Sequence, residues 1–353
     1  MAMTHASSLP GTSQIVARAT PEYPRHTEGD LIALTDGRLL LAWGRKVGAS
    51  DMASGTLVGK YSRDRGLTWD QEAHVILAPW DDITDVMSVS LCRTPRGLHL
   101  FFLGRGPIKD RDTCVYQLLS TDEGATWSPP VLVSPRPGYH VVNNARVIRT
   151  TAGRLLIPVS FAEEAGNQER RFREVFCLYS DDDGLNWRRS NTLSEDGVLF
   201  MEPGVAECAD GSIYMTIRTK HGCLYESRSR DGGQTWQAAT ATAFVSPSAP
   251  STVTRDPGSA DLWLIWCNNP AGAKAGWADR NPQALVVSRD GGRTWGAPRL
   301  LENDDQRGFG YFSVDVVDAT VHLTYYDWSK GQPNFYLTDL RQRCLPLAWM
   351  RAG

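Results

Sequence analysis

A chain of 353 residues with 41% hydrophobic content can bury a large core, and it has no polar low-complexity run of the kind that stays disordered. Its net charge is −3, with 31 Arg against 6 Lys. That balance offers no global basic field for nucleic acid or an anionic membrane surface, and neither is expected as a partner.

The N-terminal stretch MAMTHASSLPGTSQIVARAT lacks the apolar core of a signal peptide, and no run approaches membrane-spanning length. Seven cysteines (92, 114, 177, 208, 223, 267 and 344) include no CxxC pair, and several stand in apolar runs such as VFCLYS and LWLIWCNN. Buried free thiols in a reducing, cytoplasmic compartment are the expectation.

Taken in order, the chain alternates strand-like runs with one recurring octad. SQIVARA (13–19) reads as a lone strand. LIALTDGRLLLAW (31–43) is a pair of apolar runs around Asp-Gly, and the octad SRDRGLTW follows at Ser62–Trp69. SLCRTPRGLHLFFL (90–103) leads to STDEGATW at Ser120–Trp127, and RVIRTTAGRLLIPVS (146–160) to SDDDGLNW at Ser180–Trp187. VAECADGSIYMTIR (205–218) leads to SRDGGQTW at Ser229–Trp236, and ALVVS runs into SRDGGRTW at Ser288–Trp295. GYFSVDVVDATVHLTYYDW (310–328) and NFYLTDL (334–340) make a sixth strand set without an octad.

The octad tryptophans step by 58, 60, 49 and 59 residues, so one supersecondary unit repeats. Asp-Gly, Arg-Gly and Ala-Gly between β-rich runs are hairpin punctuation, and no long 3.6-residue stripe appears. The expected fold is all-β: a six-bladed β-propeller of four-stranded antiparallel blades, spanning 1–353 as one domain. Residues 13–19 could pair with the last blade and so remove an exposed sheet edge. Within each octad the Asp can accept N–H bonds from its own turn, Gly supplies a backbone angle that other residues resist, and Trp plugs the blade. Five equivalent aspartates cannot share one pocket, so the octads are scaffold.

Chemistry is sought where the repeats differ. Glu202 and Glu207 precede the turn Ala209-Asp210-Gly211 and Arg218 follows it, a carboxylate–guanidinium pairing absent from the other units.

Multiple S-x-D-x-G-x-T-W boxes on a propeller are the Asp-box or bacterial neuraminidase repeat, and the chain resembles the sialidase superfamily. The resemblance implies hydrolysis with retention, with no cofactor and no metal. A glutamate would activate a tyrosine nucleophile, an aspartate would serve as acid/base, and arginines would hold the sugar carboxylate. Glu202 and Arg218 match the glutamate and second arginine, Arg280 in ADRNPQALVVS the third, and Tyr311 in FGYFSVDVVD the nucleophile. Asp51 in AWGRKVGASD matches the acid/base. Arg25 in YPRHTEGD comes nearest to the first arginine but stands slightly early, and His26 and Glu28 after it are further candidate substrate-binding residues. GYHVVNNARV (138–147) resembles a segment of the pocket rim, with Asn143, Asn144 and Arg146 as candidates.

Elementary chemistry agrees with these roles. A guanidinium fork suits a carboxylate, and a neutral Tyr avoids the repulsion that a carboxylate nucleophile would meet from an anionic sugar. His26 has no second His or Cys at metal-ligand spacing. Three readings stay open: an exo-glycosidase acting on a terminal sialic acid or related acidic sugar; one acting on a neutral glycan with Glu202 or Glu207 and Asp51 as paired carboxylates; and a non-catalytic carbohydrate-binding propeller.

Overall fold

The runs LLLAW (39–43) and LWLIW (262–266) are continuously apolar although a strand alternates its faces, which requires apolar neighbours on both sides. The computed structural model, which describes residues 9–106, 113–134, 137–163, 173–275, 279–331 and 337–352, supplies them. Leu39, Leu41 and Trp43 pack with Leu340 of the last blade. Leu40 and Ala42 pack instead with Leu98, Leu100 and Phe102 of the second blade. Such interblade layers are the core of the molecule.

Six blades stand around an axis. Blade one is Arg25–Ala33, Leu39–Lys46, Gly55–Ser62 and His74–Leu77; blade two is Asp85–Thr94, Gly97–Arg105, Thr113–Ser120 and Val131–Leu132. In blade three the innermost strand is split into Tyr139–Val141 and Ile148–Arg149, followed by Leu155–Ala162, Glu174–Ser180 and Arg188–Arg189. Blade four is Met201–Glu207, Ile213–Arg218, Cys223–Ser229 and Thr240–Val245; blade five is Thr252–Arg255, Leu262–Cys267, Gln283–Ser288 and Arg299–Glu302. Blade six is Arg307–Val317, Thr320–Ser329 and Thr338–Pro346, completed by Thr12–Ala17. The N-terminal strand thus closes the ring, pairing antiparallel with the last strand from Thr12↔Cys344 to Ala17↔Leu340. Of the expected run 334–340, residues 334–336 lie outside the described residues.

Every octad lies between the third and fourth strands of its blade. In the second, Ser120 Oγ donates to Asp122 Oδ1 (2.8 Å), and Asp122 accepts from Thr126 N (2.9 Å) and Thr126 Oγ1 (2.6 Å). These bonds to Thr126 and Ser120 hold the Asp122 carboxyl down at about 2. The octad glycine also touches the preceding blade. Gly66 has φ 81°, and a Cβ there would lie 2.6 Å from Gln342 Nε2 of blade six. The octad is therefore an interblade staple as well as a turn.

A feature without a sequence signal is the one-turn helix Leu347–Arg351, whose Arg351 grips Asp256 of blade five through two bonds of 2.6 and 2.8 Å. All seven cysteines are free. Among the described residues no helix is long and apolar enough to cross a membrane.

Candidate active site

The innermost strands of four blades share one irregularity. Between Thr27 and Asp30, Met87 and Ser90, Met201 and Gly204, and Gly310 and Ser313, the strand carries one residue more than its partner. Such a bulge re-aims a side chain at the cost of a local strain. The re-aimed residues are Glu28, Ser88, Glu202 and Tyr311, with φ of 47°, 62°, 43° and 60°. Left-handed backbone at a non-glycine costs about 1–3 kcal/mol each. It persists because the surrounding ring over-determines it, and it turns these four side chains toward one place.

Glu202 is at the centre of that place. Its carboxylate forms an ion pair with Arg218, at the end of the next strand of the same blade, and accepts a 3.3 Å bond from the Tyr311 hydroxyl. The Glu202 N–H donates to Ser160 Oγ of blade three (3.2 Å), and Arg218 Nε donates to Ser248 Oγ (3.2 Å). Burial by itself would raise the Glu202 carboxyl; Arg218, Arg280 and Asn143 outweigh it and hold it below its ordinary value. The Tyr311 ring lies 4.6 Å from that of Tyr326, and the buried Arg280 guanidinium is 5.3 Å from its centroid. Burial and the negative Glu202 push the Tyr311 hydroxyl up to about 12, against the pull of Arg280 and Arg218.

Asp51 sits on the exposed loop between the second and third strands of blade one, its carboxylate paired with the buried Arg25. Two buried cations fasten this loop by its backbone. Lys46 Nζ donates to the Asp51 carbonyl (3.0 Å) and so does Arg105 Nη1 (2.9 Å), while Asp85 binds both cations at 2.7 and 3.1 Å. Asp51 is thus presented by a rigid frame although its tip is solvated. Arg25 in turn feels Tyr326 and Tyr311 electrostatically, which joins this corner to the Glu202 cluster.

The profile of the BNR repeat-like domain matches residues 37–323. The chain belongs to this family. Among its curated relatives are a sialidase of Bacteroides fragilis, 25% identical over 63% of this chain and 41% of the relative, and an anhydrosialidase of Macrobdella decora, 29% identical over 56% and 24%. The chain therefore spans less than half the length of these two proteins. Solved structures that share the fold include a Dyadobacter fermentans protein of unknown function (20% identity, TM-score 0.75, 96% of this chain and 100% of the other). Trypanosoma rangeli sialidase is another (16% identity, TM-score 0.76, 96% and 60%). The BNR repeat-like ring is thus a sialidase-type β-propeller over nearly its whole described length.

Within this family member, Glu202, Arg218, Arg280 and Tyr311 come together as the sequence suggests, with Asp51 and Arg25 beside them. Asn143 is buried against Glu202. Four expectations need correction. His26 accepts from Trp43 Nε1 at Nδ1 (2.9 Å) and faces the Arg18 carbonyl at Nε2 (3.1 Å), and burial lowers it to about 4. It is a neutral core histidine with both nitrogens engaged. Arg146 is no rim residue: it lies beneath the floor and donates to the Asn144 (2.9 Å), Ser251 (2.7 Å) and Phe312 (3.4 Å) carbonyls, tying blades three, five and six. Asn144 donates to the carbonyls of Gly29 (2.7 Å) and Tyr311 (3.0 Å), so it fixes the bulges rather than facing a ligand. Glu207 is spent on Thr151 and Arg255 between blades, which removes it as a carboxylate of the site.

Two participants escape the sequence reading. Ser88 stands, like the expected Glu28, at a bulge equivalent to those of Glu202 and Tyr311. Tyr326, expected to be simple core, packs on Tyr311 and feels Glu28 and Arg25. A signal does exist: Glu28-Gly-Asp-Leu, Ser88-Val-Ser-Leu, Glu202-Pro-Gly-Val and Tyr311-Phe-Ser-Val share a small or acidic residue two places on, then an apolar one.

Proposed function

We propose that this propeller is a retaining exo-glycosidase that releases a terminal sialic acid or related acidic sugar. The observation that carries this reading is the Tyr311 hydroxyl directed at a Glu202 carboxylate that Arg218 clamps. In this scheme Arg218 and Arg280 bind the sugar carboxylate by charge-assisted hydrogen bonds. As that carboxylate competes for Arg218, Glu202 loses its counter-charge and becomes a stronger base. Tyr311 Oη then attacks the anomeric carbon while its proton passes to Glu202, and Asp51, in its protonated form and parted from Arg25, gives a proton to the departing glycosidic oxygen. Water cleaves the tyrosyl glycoside in the second step: Asp51 takes its proton, and Glu202 returns one to the tyrosine. A tyrosine nucleophile is the sialidase exception to paired carboxylates.

A second reading has one observation in its favour. Glu28 adds another carboxyl group near Glu202, as a neutral-glycan hydrolase with paired carboxylates would need. A panel of aryl glycosides, sialosides included, separates the two. The acidic-sugar reading expects turnover of the sialoside and a loss of order 10³-fold or more in Tyr311→Phe. Turnover confined to neutral glycosides, or a Tyr311→Phe variant of undiminished rate, would overturn it.

A further inference from the structure

Of the four equivalent bulges, two carry the nucleophile and base of the scheme above, while Glu28 has no part in it. Glu28 is half-buried and re-aimed by its left-handed backbone, and its carboxyl contacts the Ser88 hydroxyl from the neighbouring bulge. It belongs to the same electrostatic cluster as Glu202, Tyr311 and Tyr326. Among the described residues it forms no ion pair; the nearby arginine of its own strand, Arg25, is turned to Asp51. The bulge between Thr27 and Asp30 turns Glu28 to the position equivalent to Glu202 and Tyr311.

A carboxylate fixed there would repel an anionic sugar held by Arg218 and Arg280. A carboxylic acid would not, because it is neutral and has a proton to donate. We propose that Glu28 engages the substrate's carboxylate as a neutral acid, donating one hydrogen bond to it. The inference rests on the acidic-sugar reading and adds to it a specificity residue and a proton requirement.

Its surroundings favour the protonated form. Burial and the negative Glu202 raise the Glu28 carboxyl to about 8, with Asp51 adding to the effect and Arg25 and Lys46 opposing it. The other charged or titratable groups facing it are Arg146, Tyr311 and Tyr326. Burial lowers Arg146 only to about 10 and lifts Tyr311 to about 12 and Tyr326 well above its ordinary value. Lys46, which burial lowers, stays bonded to Asp85. Of the groups facing the site Glu28 is the one raised to near 8, while Asp30, two residues along the strand and bonded to the Leu31 and Leu91 N–H groups, is raised by burial to about 7. An incoming carboxylate raises the Glu28 pKa further, so above about 8 binding takes up one proton and weakens tenfold per pH unit.

The test is calorimetric titration of the full chain between pH 6 and 9.5 with a 2,3-unsaturated sialic acid, which has no leaving group, and with its methyl ester. The acid's Kd is expected to be level below about pH 8 and to rise roughly tenfold per unit above it, while the ester's Kd stays level. Paired buffers of different ionisation heat should show proton uptake at pH 9 in the wild type and none in Glu28→Gln, which binds the acid with a level profile. A level profile in the wild type, or an unchanged slope in Glu28→Gln, overturns the role of Glu28 and leaves the acidic-sugar reading standing. An ester that binds the wild type at pH 7 as tightly as the acid overturns that reading, and the role of Glu28 with it.

Discussion

Replacing Arg218 by Met tests the electrostatics of the site without depending on a substrate. Met keeps much of the apolar stem, so the main loss is the guanidinium. The side chains of Arg218 and Glu202 are 12% and 13% exposed, a largely buried ion pair. Breaking such a pair from one side costs about 3–5 kcal/mol because a charge is left without a partner. Residual water contact puts this case at the lower end, about 3 kcal/mol, which for a chain of this length lowers Tm by roughly 4 °C. The pH dependence carries the sharper content. In the wild type Glu202 titrates below its ordinary 4.5, so its pairing contributes stability that is present above 4.5 and lost as pH falls through the folded value. Without Arg218, burial, the largest influence on this carboxyl, carries the folded value above 4.5. The variant's deficit is then greatest at neutral pH and shrinks on acidification, by about 1.4 kcal/mol for each unit of upward shift. Chemical denaturation of both proteins at pH 8 and pH 5 measures it. A deficit equal at the two pH values, or larger at pH 5, would refute the claim that Arg218 neutralises a buried Glu202.

Two further outcomes are expected. Asp51→Asn should lower kcat by about 10²–10⁴ on substrates with poor leaving groups and much less on activated aryl glycosides, because only the former need the proton; equal losses on both would remove Asp51 from the acid/base role. Gly66→Ala should lower thermal stability by about 1–3 kcal/mol, since a Cβ at φ 81° both strains the turn and meets Gln342 Nε2 at 2.6 Å. A melting curve unchanged within 1 °C by that substitution would mean that the octad does not staple blade one to blade six.

The repeat was written in the sequence because it is local. An octad satisfies its own turn: Ser120, Asp122, Gly124 and Thr126 bond one another within a few residues, so the pattern survives without reference to the rest of the chain. Strand runs such as LLLAW likewise declare two buried faces by composition alone, and with five octads and a sixth strand set they specified the propeller and its closure by residues 13–19. The placement of Glu202, Arg218, Arg280 and Tyr311 followed from those landmarks together with the resemblance. Which side chain of 25–28 faces the centre could not follow. Alternation assigns faces only while register is kept, and a one-residue bulge exchanges them for everything beyond it. The bulge is a property of the pairing between Arg25–Ala33 and Leu39–Lys46, held by Asn144 reaching from blade three to the Gly29 carbonyl. Arg146 had the same ambiguity: as a guanidinium beside two asparagines it reads as a ligand-binding group, yet the convergence of carbonyls from blades three, five and six claims it for the floor. Local pattern thus determined the blades, whereas the pairing of each innermost strand with its neighbour decided that Glu28, Ser88, Glu202 and Tyr311 turn toward one place.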